Sequence, residues 1–305
     1  MRKQKVSAGK YLNFQSLIKF GYQIFSRVVT IRIYLASVDT ITVGLRNDFE
    51  KNQADKIHFT TFVAAMEWYA IFFSAFLIGV AKTGMQGLGT LVVPILALVA
   101  GAKPSTGLIL PMLCFADVLA VIYYRRTAEW KYIFHLLPYT LLGFGAALAV
   151  DSFVPAQQFR YLLAFCIVIG LVVLFYSERK KENPTYLSAW WFAPMFGLLG
   201  GFSTMIGNAA GPIMAVYLLS MRLPKYAFVG TGAWFFLIVN HLKLPLQIWV
   251  WDNITLESLR INLYAVPFIL VGAVVGVFVV RRLPEKLFRR VIIGLTVLST
   301  LLLFI

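Results

Sequence analysis

The chain has 305 residues, 60% of them hydrophobic and 13% charged, with 28 Lys and Arg against 13 Asp and Glu. Soluble domains carry roughly 25% charged residues, so a soluble fold is excluded and the composition is that of a polytopic membrane protein. The net charge of +15 does not point to nucleic acid, because the basic residues fall in short clusters between apolar runs, as membrane loops require, and form no stripe with interleaved aromatics.

The first 61 residues stand apart. They hold ten Lys or Arg against four Asp or Glu and no clean apolar window, and they show neither a compact apolar core nor a small-residue cleavage site of a signal peptide. This is a basic N-terminal extension, 1–61. From there, apolar runs between charges predict full-length helices near 62–81, 105–124, 132–150, 158–177, 187–206, 225–242, 258–279 and 286–305. Each is long enough to cross a hydrocarbon core of roughly 30 Å. Two further runs, 88–101 and 209–221, are too short to do so and follow glycine-rich breaks, which predicts half-helices. Cys114 and Cys166 lie inside apolar runs at no metal-binding spacing and are expected to be packing residues. No cofactor or metal site is expected.

An internal repeat divides the membrane part. A shift of 120 places Thr83, Met85, Gly87 and Pro104 on Ser203, Met205, Gly207 and Pro224; a shift of 129 places Pro138, Gly143, Pro155, Phe159 and Arg160 on Pro267, Gly272, Pro284, Phe288 and Arg289. The difference is absorbed around His241 to Asp252. The expected repeats are 62–182 and 183–305. Apolar bias alone does not align Pro, Gly, Phe and Arg over long gapless stretches.

Charge orients the repeats. The clusters Arg125, Arg126, Lys131; Arg179, Lys180, Lys181; Arg222, Lys225; and Arg281, Arg282, Lys286, Arg289, Arg290 fall on one side if both short segments carry the chain across the membrane. That leaves 13 basic residues inside against Lys103, Arg160, Lys243 and Arg260 outside. Matching helices then run in opposite directions, the inverted repeat of secondary transporters. The same assignment leaves the basic extension outside, against the charge rule. Either translation begins at Met66, the preferred reading, or the extension is an interfacial amphipathic arm.

The breaks carry the chemistry. In lipid an unpaired backbone amide costs several kcal/mol, so a helix is interrupted only where protein or a water-filled cavity satisfies the freed groups. In the stretch AKTGMQGLGT, Gly84, Gly87 and Gly89 permit the break, Thr83, Gln86 and Thr90 offer hydrogen bonds, and Lys82 supplies a charge beside a half-helix N-terminus. In GFSTMIGNAAGP, Gly207 and Gly211 permit the second break, Ser203, Thr204 and Asn208 are its polar groups, and Pro212 stands in the first turn of the half-helix. Meeting near the midplane, two such ends form a site for a small anion. The competing reading gives the glycines a role in close helix packing only, which does not account for Lys82 and Gln86.

These stretches carry a resemblance. GVAKTGMQGLGTLVVPILAL closely resembles the first signature of the TauE/SafE sulfite exporter family, and MIGNAAGPIMAVYLL resembles its second, with Ala209 and Ala210 in place of the usual extra glycines. FFLIVNHLKLPLQI resembles the family's late segment with an Asn and a Lys. The resemblance spans about 66–305 and implies export of a small anion such as sulfite or an organosulfur compound.

Among the remaining polar residues, Asp117 is an intramembrane carboxylate, able to balance Lys82, to carry a coupling proton, or to form a static pair. Asn240 and Lys243 are either gate residues or interfacial ones. His58, His135 and His241 have no ligand partner at informative spacing and are expected to be structural or solvated. Trp190, Trp191, Trp249, Trp251, Tyr123 and Tyr124 suit interfacial anchoring. The expectation is an all-α polytopic membrane protein of two inverted repeats, about eight full transmembrane helices and two half-helices. It is placed in the inner membrane and moves a small anion by alternating access, its partners being that solute and the lipid bilayer, with no nucleic acid. The alternatives are an anion channel, which the same half-helix ends would serve, and an intramembrane enzyme, disfavoured because HExxH, GxSxG and His/Asp clusters are absent. The oligomeric state is not legible.

Overall fold

The computed structural model describes residues 53–150, 168, 172 and 191–302. The chain divides into two compact units, Met1–Ala64 and Ala65–Ile305. Among the described residues all regular structure is helical: α1 Gln53–Thr83, α2 Gly89–Ala100, α3 Ala102–Tyr124, α4 Trp130–Val150, α5 Phe192–Gly207, α6 Gly211–Ser220, α7 Lys225–Trp249, α8 Leu256–Arg282 and α9 Glu285–Leu302. Four of them, within α3, α4, α7 and α8, are long and apolar enough to cross a membrane. α9 has Glu285, Lys286, Arg289 and Arg290 in its first two turns, which leaves it a shorter apolar stretch. The expected helix at 158–177 lies outside the described residues apart from Val168 and Val172, and so does the start of the one expected at 187–206.

Both short segments form short helices, 12 residues in α2 and 10 in α6. α6 is apolar all round, and Pro212 to Ser220 are all buried, as such a helix demands. α1 begins at Gln53, earlier than the apolar run that starts near residue 62, because nothing between Gln53 and Ile78 is a glycine or proline and a helix extends past its apolar part without penalty. α7 runs through Pro245 to Trp249 rather than ending near residue 242.

Contacts fix helix directions. α1 and α8 run parallel, with Phe72 stacked on Phe268 at 4.3 Å, Gly79 against Gly272 and Gly84 against Gly276. α4 and α5 also run parallel, with Tyr139 and Thr140 on Gly197, Thr140 on Gly201, and Gly143 on Leu198 and Phe202. In both pairs glycine lets backbones touch: a Cβ at Gly79, Gly143, Gly201 or Gly272 would collide with carbonyl oxygens of the neighbouring helix. Three basic clusters share one end of the molecule. Thr127 donates to the Tyr226 carbonyl at 2.9 Å, Lys225 to the carbonyls of Val280 and Leu283 at 2.9 and 2.7 Å, and Arg289 to that of Leu219 at 3.1 Å. The cluster at 179–181 lies outside the described residues.

Candidate functional site

The first break is made by Gly84 to Leu88, between α1 and α2. Gly87 has φ 109, a conformation that side chains with a Cβ rarely adopt. Its carbonyl accepts from Ser299 of α9 at 3.0 Å. The first turn of α2 is closed locally: the amides of Thr90 and Leu91 donate to Gly87 and Leu88 at 3.2 and 3.0 Å. At the second break, Asn208 takes the left-handed conformation at φ 52, and its amide and that of Ala209 cap α5 on the carbonyls of Thr204 and Ser203. The breaks meet: a Cβ on Gly211 would stand 3.4 Å from the Thr90 hydroxyl and 3.6 Å from the Gly87 nitrogen.

Between them is a cavity of about 40 Å³. One water needs roughly 10–15 Å³ by the same measure, so there is space for a solute of a few heavy atoms. Of the residues expected at the site, Lys82, Gln86, Gly87, Gly89, Thr90, Thr204, Asn208, Gly211 and Asn240 line it. Ala81, Ile109, Leu113 and Phe236 complete the wall. Thr83, Gly84, Ser203 and Gly207 do not. Thr83 faces α8, its hydroxyl within 2.9 Å of the Gly79 carbonyl and 2.8 Å of that of Ala273. Gly84 packs on Gly276, Ser203 is fully buried off the cavity, and a Cβ on Gly207 would meet nothing within 4 Å.

Asp117 and Lys243 stand just behind the wall. Asp117, with no exposed surface, pairs with Lys82 at 2.8 Å and accepts from the Asn240 amide at 2.6 Å. The Lys82 ammonium also lies 4.0 Å above the Phe236 ring. Lys243 is fully buried, which corrects its assignment to the outer loop charge. It does not snorkel, because its ammonium finds three oxygens within the bundle: it donates to the Thr204 carbonyl at 2.7 Å, the Thr204 hydroxyl at 2.9 Å and the Asn208 side-chain oxygen at 2.6 Å. All three are neutral. Two lysines against one aspartate leave this buried cluster with a net charge of +1 when all three are ionised.

Several contributors were missed in the sequence. Gly232 of α7 makes room for Gln86, whose amide a Cβ there would overlap; the signal was the pair of glycines in VGTGAW, which apolar periodicity does not explain. Ser299 and Phe236 left no signal beyond their apolar surroundings. Asn208 is further tied to the Thr106 carbonyl at 3.2 Å, and Asn253 to Thr106 and Gln247 at 3.3 and 3.0 Å.

No curated protein and no solved structure matches the chain. Residues 71–303 match the family model described as sulfite exporter TauE/SafE, a stretch that contains both breaks, the cavity between them and the Lys82, Asp117 and Lys243 cluster. The chain is therefore a multi-pass membrane transporter that belongs to the sulfite exporter TauE/SafE family.

Proposed function

We propose that the protein is a carrier that exports a small oxyanion, such as sulfite or an organosulfonate, across the inner membrane by alternating access. The observation that carries this reading is Lys243, buried beside the cavity with its Nζ on three neutral oxygens, so that its ammonium form adds a positive charge that the Lys82–Asp117 pair does not balance. An ammonium without a counter-charge is costly inside a protein, by several kcal/mol. A bound anion supplies the missing charge, and the Thr90 hydroxyl on the cavity wall, buried and without a partner among the described residues, can donate to it.

The inverted repeat supplies the mechanism. Its support is that α1 packs parallel to α8 and α5 parallel to α4, an exchange of partners between the halves 62–182 and 183–305. The two half-helices begin 122 residues apart, at Gly89 and Gly211, close to the shift of 120 that aligns the two breaks in sequence. A site at the junction of two such halves opens to alternate sides as one rocks on the other. The shared end of the basic clusters is then cytoplasmic. Vesicles containing the purified protein and loaded with labelled sulfite test the reading. The expected efflux saturates with concentration and disappears in Lys243→Met. Flux that rises linearly without limit would instead mark an open anion channel.

A further inference from the structure

We propose that the cavity selects a singly charged oxyanion that carries its own hydrogen-bond donor, an O–H or N–H on the anionic group, over a donor-free monoanion and over a dianion. The inference rests on the anion-carrier reading and narrows its substrate class.

Asn240 decides the donor. It lines the cavity with 1% of its surface exposed. Its –NH2 donates to the Asp117 carboxylate at 2.6 Å. That contact fixes the amide orientation, since the reverse would set oxygen against oxygen. The Asn240 Oδ1 is therefore a true acceptor, and it is buried without a partner among the described residues. A fully deprotonated oxyanion has only acceptors and leaves it unsatisfied. A protonated oxyanion such as hydrogen sulfite, or an amino-substituted sulfonate, donates to it. Thr90, also on the wall and with no hydroxyl partner among the described residues, can donate in turn to an anionic oxygen.

Charge and size agree. With all three groups ionised, the net charge of +1 on Lys82, Asp117 and Lys243 is cancelled by one negative charge, and a second would be left buried and unpaired. A cavity of about 40 Å³ has room for a single tetrahedral or pyramidal oxyanion.

Sulfamate and methanesulfonate test this directly. Both are monoanions of nearly the same size with three sulfonate oxygens, but sulfamate bears an –NH2 where methanesulfonate bears a methyl. Binding to the purified full chain, read as displacement of labelled sulfite, should favour sulfamate about tenfold or more, the usual cost of leaving a buried acceptor unpaired. Sulfate, a dianion with no donor, should bind more weakly than sulfamate. In Asn240→Leu the preference for sulfamate over methanesulfonate should fall to near unity; the wild-type comparison decides the matter even if that variant does not fold. Equal binding of sulfamate and methanesulfonate overturns this inference and leaves the anion site standing. Binding of no anion at all overturns both.

Discussion

Lys243 and Lys82 carry the same charge in the same bundle, yet replacing each with Met should have opposite effects on stability. Among the described residues, Lys243 bonds only neutral oxygens. When it is removed, the Thr204 carbonyl keeps the Asn208 amide at 3.1 Å, so the main orphan is the Asn208 oxygen, at about 1–3 kcal/mol. Against that, an ammonium no longer has to be stripped of water, a saving of several kcal/mol. Lys243→Met should therefore melt at or above the wild-type temperature. Lys82→Met leaves Asp117, with no exposed surface, as an unbalanced buried carboxylate, and should lose about 3–5 kcal/mol. Either single change takes the cluster from +1 to zero. For an anion about 6 Å away at an effective dielectric near 20, the lost attraction is ~3 kcal/mol, or roughly 100-fold in affinity. The double variant Lys82→Met with Asp117→Asn restores the net charge of +1, and should recover both stability and most of the sulfite affinity. Thermal melts and equilibrium sulfite binding on the four proteins in detergent check this. If Lys243→Met binds sulfite like the wild type, or is destabilised as much as Lys82→Met, the charge argument is wrong.

Other outcomes follow from the same geometry. Gly87→Ala forces a side chain onto φ 109 and should cost about 1–2 kcal/mol and impair sulfite efflux, whereas Gly207→Ala meets nothing within 4 Å and should leave melting and efflux unchanged. Gly232→Ala drives a Cβ into the Gln86 amide; the protein should still insert, and its sulfite affinity should drop measurably in the binding assay. For topology, a cysteine replacing the exposed Glu257 at the start of α8 should react with an impermeant thiol reagent from outside intact cells, and one replacing Arg282 at its end should not. Equal labelling of the two positions would refute the assignment of the basic end to the cytoplasm.

The chain's own residues determined the membrane class and the two broken helices, for a physical reason that needs no partner. Lipid offers no hydrogen bonds to a backbone, so apolar runs of sufficient length must be helical, and glycine-rich polar interruptions such as GMQGLG and GNAAG must be built into something that satisfies them. The identity of Lys82, Gln86, Thr90 and Asn208 as lining residues was legible because each lies at or next to such an interruption. Which side of the helix each residue faces was not. Successive residues on a helix point about 100° apart, so Lys82 enters the cavity while Thr83, its neighbour in sequence and equally polar, turns to the carbonyl of Ala273. Lys243 shows the same limit on a longer scale. A lysine near the end of an apolar run reaches for water unless oxygens from another helix meet it first. Thr204 and Asn208, some 35–39 residues earlier in the chain, come within reach of its long side chain only in the folded bundle.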